Sequence, residues 1–321
     1  MAAVSARDAW AVGSAGSLAQ PRALIVHWDG TAWSRVPSPT PAGRIASLSA
    51  VAFAAANDGW AVGGAGGTPL ILRWNGAHWH QVPSPRAVGG VYLNGVTSAA
   101  AGGAWAVGSV GGLAGSRTLI LQWTGARWRQ VPSPTPPGGG TLSRVSAASA
   151  TSAWAVGSSR GAALIEHWNG RTWNLVRGPA SSSLESVAAV SAASAWAVGY
   201  NYGHGNKTLI LRLTASTWRR VPSPSPSRGC IGAVLWSVVA TPAGTWAVGG
   251  YACAPHTLTL RWNGSAWKQV LSPTPAGSNF LEAVGTSPAG GALAVGSAHG
   301  GQGIILIEHW DGTGWSWLRR R

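Results

Sequence analysis

The tetrapeptide Trp-Ala-Val-Gly begins at Trp10, Trp60, Trp105, Trp154, Trp196 and Trp246, and Leu-Ala-Val-Gly takes its place at Leu293. Subtracting those positions gives intervals of 50, 45, 49, 42, 50 and 47 residues. Recurrence at a long fixed period constrains the fold strongly, because each copy is one supersecondary unit that must bury its apolar face against the next. A second signature follows each copy: LIVHWDGTAW, LILRWNGAHW, LILQWTGARW, LIEHWNGRTW, LILRLTASTW, LTLRWNGSAW and LIEHWDGTGW. The two signatures together define seven repeats.

Each repeat reads as four short strands. The first carries an L-x-x-V pattern, as in Leu142 to Val145, and ends at a polar or glycine-containing turn such as AAND or TPAG. WAVG is the second strand and LIxxW the third. The Asn-Gly, Asp-Gly or Thr-Gly after the third-strand Trp signals a tight hairpin. The fourth strand begins at the next Trp and ends at the Val of VPSP. Four strands at this period match the blade of a β-propeller. The sequence therefore predicts an all-β chain, a seven-bladed β-propeller of four-stranded antiparallel blades, as a single domain over residues 1–321. Blade 1 starts at Met1 already inside its first strand, which is expected to be truncated.

The order GG, hydrophobic strand, W-N-G-x-x-W and V-P-S-P resembles a degenerate kelch repeat. NDGWAVGG followed by Trp-Asn-Gly-x-x-Trp is similar to the Asp-box-type repeats of bacterial propellers related to photosystem assembly factors. The resemblance covers nearly the whole chain and implies a fold; it carries no catalytic residue with it. The turn lacks the Ser-x-Asp-x-Gly of a true Asp box, and the Arg of many kelch blades recurs only sporadically.

Composition agrees with a packed β fold. The chain has 46 Gly, 20 Pro and 21 Trp, only 10% of its residues are charged, and 45% are hydrophobic, which is not a disordered composition. The 23 basic residues against 8 acidic ones give +15, a balance that favours acidic partners or surfaces. Arg35, Arg129, Arg219 and Arg220 fall on fourth strands, as a girdle instead of a focused groove, so nucleic acid is not the expected partner. No apolar run is long enough to span a membrane, and MAAVSARDAW is not a signal peptide. With upstream sequence expected to be missing, a secreted or cell-surface location is the expectation, and a cytoplasmic one the alternative. The GGAGG at Gly63 to Gly67 is read as a turn between strands, because no helix follows it and the spacing of a phosphate-binding loop is absent.

Nineteen of the 21 Trp fall in three repeat columns, where packing between neighbouring sheets explains them. Trp236 and Trp317 lie outside, and Trp236 sits in a first strand next to the centre of the ring. All eight acids also fall in repeat columns. Glu166 and Glu308, in the E-H pairs Glu166-His167 and Glu308-His309, are read as exposed strand positions. Glu185 and Glu282 follow the Leu of L-x-x-V, near one mouth of the channel, and are the carboxylates an active site would use. The histidines have no metal-ligand spacing, His78-x-His80 being the nearest approach, and no cofactor motif is present. No cofactor or metal is therefore expected. Cys230 and Cys253 flank the first two strands of blade 6, as a disulfide pair or as two free thiols.

The loops joining second to third strands vary between repeats, whereas the opposite hairpins hardly do. A rigid frame with one variable loop face is the usual arrangement for recognition. Blade 5 offers Tyr200, Asn201, Tyr202, His204, Asn206 and Lys207 there, and blade 6 adds Tyr251 and His256. The expectation is a monomeric, non-catalytic module that binds a protein or glycan through these residues and Trp236. The alternative is a hydrolase- or lyase-type enzyme using Glu185 and Glu282.

Overall fold

The computed structural model describes every residue except 18, 40–44, 86–88, 100–101, 112–114, 203–204, 226–231, 243, 252–255, 274–277, 287–290, 300–303 and 319–321. His204, Cys230 and Cys253 lie outside the described residues. The described residues form seven four-stranded antiparallel sheets with the strands of each sheet in chain order, and no helical element. This is the seven-bladed β-propeller that the repeat demands. Two compact units divide it: Met1–Arg160 with Leu164–Arg177, and Gly161–Ala163 with Gly178–Arg321. Among the described residues no helix is long and apolar enough to cross a membrane.

Blade 2 shows how the sequence builds one sheet. Its strands are Ala46–Ala55, Asp58–Ala65, Thr68–Trp74 and Trp79–Gln81. The third strand is covered on both faces, so Leu70, Ile71 and Leu72 are all buried and the apolar run is continuous instead of alternating. The short fourth strand is an edge, and the Pro83 that follows it cannot donate to a further ladder.

The core lies between blades. In the first unit the WAVG Trp of one blade meets the two Trp that flank the hairpin of the next. Trp10 lies 4.8 Å from Trp74 and 5.7 Å from Trp79, and Trp60 lies 4.8 Å from Trp123 and 5.0 Å from Trp128. Trp105 repeats the arrangement with Trp168 and Trp173. In the second unit the trios are Trp196, Trp262, Trp267 and Trp246, Trp310, Trp315. In each trio the post-hairpin Trp stands edge-on to the WAVG ring, with interplanar angles of 76° to 89°, the geometry that ring quadrupoles favour. The indole N–H groups of Trp79, Trp128, Trp173, Trp267 and Trp315 have no hydrogen-bond acceptor, and an edge-on ring is where such a group can face a π-cloud.

The same trios explain a polar column. Arg73, Arg212 and Arg261 lie over the WAVG Trp of their own blade at 5.1, 5.0 and 5.3 Å. His27 and His167 stack on Trp10 and Trp154 at 4.1 and 4.0 Å. This position takes either a guanidinium or an imidazole because both are flat groups that lie on an indole. Asp8 and Asp58 hold the outer end, accepting from His27 at 2.9 Å and Arg73 at 3.2 Å.

Two details depart from the sequence reading. The Asp-Gly and Asn-Gly hairpins are four-residue loops in which the first side chain acts as the acceptor: Asp29 Oδ1 takes the amides of Thr31 and Ala32, both at 2.8 Å. The two-residue hairpin occurs instead in blade 5, where Ala215 and Ser216 both have positive φ, 48° and 70°, as a type I′ turn requires. The Gly of WAVG is the second. A Cβ at Gly63, Gly108, Gly157, Gly199, Gly249 or Gly296 would stand 1.8 to 2.1 Å from a first-strand carbonyl oxygen. Only a residue without Cβ fits there.

Candidate functional site

Those carbonyls approach because every first strand from blade 2 to blade 7 carries a bulge at the same place. In blade 5, Leu184 pairs with Gly199 and Ser186 with Val198, so Glu185 is skipped. The skipped residues in the other blades are Ser49, Asn94, Ser143, Trp236 and Glu282. A bulge releases one side chain from the ladder and re-aims it. The flanking Leu and Val recur in every one of these blades, while the released residue changes from blade to blade.

In the second unit hydrogen bonds tie neighbouring first strands together at the bulge. The residue after the bulge accepts from the next first strand: Ser186 Oγ takes the Val238 amide and Ser237 Oγ the Val284 amide, both at 3.2 Å. Around Glu185 and Trp236 a cluster forms. Ser183 donates to Glu185 Oε1 at 2.6 Å. Tyr200, opposite Ser183 on the second strand, packs edge-on to Tyr202 at 5.3 Å and to Trp236 at 6.3 Å. The Tyr202 amide donates to the Ser181 carbonyl at 2.8 Å, which ties Tyr202 to the start of the first strand while the residue stays 41% exposed. Burial foremost, then Tyr202 and the Glu185 charge, push the Tyr200 phenol up to about 12. It is therefore a neutral hydrogen-bonding group throughout the physiological range.

The structure thus brings together Glu185, Tyr200, Tyr202 and Trp236, which the sequence reading placed in two separate lists. Asn201 pairs with Lys207 at the same end of blade 5, with Asn201 half-buried and Lys207 exposed. Tyr251 is different: it is 1% exposed, packs in the core between blades 5 and 6, and accepts from Gln269 at 3.2 Å. Three other blades bury an Ala or Val in its column, Ala65, Val110 and Ala298, and Tyr251 packs in the core as they do. His256, half-buried, lies 6.1 Å from its ring. Glu282 has a partner of its own, Ser297 at 3.4 Å, and no contact among the described residues joins it to Glu185. Among the described residues no group of His, Cys, Asp and Glu is arranged to hold a metal.

Glu166 and Glu308 correct the sequence reading most sharply. Both are fully buried, because their position in the third strand is one that Val26, Leu72, Leu121, Leu211 and Leu260 fill elsewhere. Ser133 of the preceding blade donates to Glu166 at 3.1 and 3.3 Å. Neither carboxyl oxygen of Glu308 has a partner at hydrogen-bonding distance, although the Ser272 hydroxyl lies near enough to offset part of the burial cost. Desolvation pushes Glu166 up to about 7 and Glu308 up to about 8. Burial also lowers His167, beside Glu166 in sequence.

The chain matches no protein-family model, and no curated protein is similar to it in sequence. Solved structures share its fold. YCF48 from Cyanidioschyzon merolae superposes with a TM-score of 0.60 at 15% identity, over 95% of this chain and 91% of that one. YCF48 bound to D1 peptide gives 0.56 at 14%, over 86% and 83%. The GH74 xyloglucanase from Xanthomonas campestris gives 0.65 at 18%, over 97% of this chain but only 55% of that one. The expected likeness to photosystem-assembly propellers therefore holds at the level of fold. The expectation that the chain is not an enzyme is overturned by the xyloglucanase: this fold carries catalysis as well as binding, and the fold alone does not settle between them.

Proposed function

We propose that the chain is a recognition module that seats an extended segment of a partner protein on Trp236, Tyr200, Tyr202 and Glu185. One observation carries the reading: large aromatics stand at two positions that packing does not reserve for them. The Tyr200 column reads Ser14, Gly64, Ser109, Ser158, Gly250 and Ser297 in the other blades, and the Trp236 column holds small, polar or acidic residues. Trp and Tyr with one exposed edge are the side chains that dominate protein–protein hot spots. Glu185 and the phenols supply hydrogen-bonding groups beside them. YCF48, a propeller of the same fold, has been solved with a peptide bound, which supports a peptide over a glycan.

A displayed library of random linear peptides, selected on the full chain, tests this. The expected result is a peptide whose affinity falls at least about thirtyfold in Trp236→Ala and in Tyr202→Ala, with thermal unfolding unchanged. Full affinity in the Trp236→Ala/Tyr202→Ala double variant would overturn it. So would a failed selection alongside a glycan array that yields a ligand.

A further inference from the structure

Blades 3, 5 and 6 share a feature that the recognition cluster does not use. A Thr at the start of the third strand meets the Ser after the fourth: Thr118 with Ser133 at 2.7 Å, Thr208 with Ser223 at 2.8 Å, and Thr257 with Ser272 at 2.6 Å. In blade 3 this hydroxyl pair receives a carboxyl group, that of Glu166 from blade 4. In blade 6 the carboxyl of Glu308 from blade 7 lies beside the pair. The fold thus places one carboxyl on this hydroxyl pair and brings a second near the pair's serine without a hydrogen bond to it.

Blade 5 has the pair without the acid. The equivalent position in blade 6 is Leu260, buried and apolar. Thr208 and Ser223 instead open into a cavity of about 390 Å³ that is also lined by Lys207, Arg220, Pro222 and Ser225. The other two blades have Gln130 and Gln269 where blade 5 has Arg220. The ion pairs among the described residues are His27 with Asp8 and Arg73 with Asp58, so no described acid pairs with Lys207 or Arg220. The hydroxyls are held in place: Thr208 Oγ1 also bonds the Pro224 carbonyl at 3.0 Å, and the Thr208 amide donates to Ser225 Oγ at 3.2 Å.

We infer that this blade 5 pocket binds a carboxylate supplied from outside, carried by an acidic residue of the partner segment. Lys207 and Arg220 give charge-assisted hydrogen bonds, Arg in its two-pronged geometry, and the hydroxyls repeat the contact that Ser133 makes to Glu166. The volume falls in the range of small-ligand sites and admits a whole side chain. The inference rests on the recognition reading for its ligand, and geometry links the two. Tyr200 pairs with Thr208 across the second and third strands, so pocket and aromatic cluster share one end of blade 5.

The test uses small probes that need no partner. N-acetylglutamate amide, inorganic sulfate and inorganic phosphate are titrated at fixed ionic strength into the isotope-labelled full chain, and the amides of Lys207, Thr208 and Ser225 are followed. The expected result is a saturable response to N-acetylglutamate amide. It weakens at least tenfold in the Lys207→Met/Arg220→Met variant, whose remaining spectrum is unchanged, and persists in Trp236→Ala. No saturable response, an undiminished response in the double variant, or a response to sulfate or phosphate alone overturns the inference. Persistence in Trp236→Ala also keeps the failures apart: an anion response beside a selected peptide that Trp236→Ala binds undiminished counts against the recognition reading alone, and a peptide lost in Trp236→Ala with no anion response in the parent chain counts against the pocket alone.

Discussion

Trp246 and Trp236 stand ten residues apart by number in blade 6 and do opposite work. Trp246 is buried beneath Trp310 and Trp315 and has the same role as Trp10, Trp60, Trp105 and Trp196. Trp236 is released by a bulge, half-buried beside Tyr200. Its counterparts are Ser, Asn and Glu. The same side chain is structural where its column repeats and available for recognition where its column does not. In a repeat fold, each blade supplies the control for its neighbours.

The first way to break the comparison is to remove a repeated ring. Trp105→Ala takes away a fully buried indole from between Trp168 and Trp173 and is expected to cost about 3 to 5 kcal/mol, read by urea unfolding. A neutral outcome would mean that the trios do not hold the blades together.

The buried acids come next. Glu166 and Glu308 keep their protons in the folded chain to about pH 7 and 8, against an ordinary value of 4.5. The unfolded chain releases those protons first. Their favourable contribution is therefore complete below pH 4.5 and is lost as pH rises through the folded values. The loss is on the order of 3 kcal/mol for each. Unfolding free energies at pH 5 and pH 8.5 should differ accordingly, and Glu166→Gln/Glu308→Gln should flatten the difference. An unchanged slope in that variant would show that other groups set the pH dependence.

A smaller effect is expected at the bulge. Gly199→Ala would bring a Cβ to 2.1 Å from the Ser183 carbonyl, so the bulge or the second strand must shift, at about 1 to 3 kcal/mol. Gly13 is the internal control: nothing lies within 4 Å of a Cβ there. Gly13→Ala should change stability by less than about 1 kcal/mol.

Much of this was legible in the sequence, for a physical reason. Burying an indole demands the same shape in every blade, so Trp60 or Trp267 recurs in register and the period announces the fold. Tyr200 and Trp236 were found as departures from the repeat. The bulge was hidden, because it is a mismatch between two strands that neither shows alone, and the Gly of WAVG was visible without its cause. Glu166 and Glu308 were misread by their chemistry, although their column was informative: five of seven blades place Leu or Val there, and a position covered on both faces stays buried whatever fills it. Tyr251 was misread in the same way. The pocket residues Arg220, Ser223 and Ser225 lie on the fourth strand and the segment after it, and only pairing with the third strand brings them beside Lys207.

The most direct measurement takes Trp236→Ala and Trp246→Ala through the same two readings, urea unfolding and affinity for a peptide selected on the parent chain. The account predicts that Trp236→Ala unfolds within about 1 kcal/mol of the parent and loses the peptide, whereas Trp246→Ala loses several kcal/mol. It is contradicted if Trp236→Ala is destabilised as much as Trp246→Ala, or if it binds the peptide as the parent does.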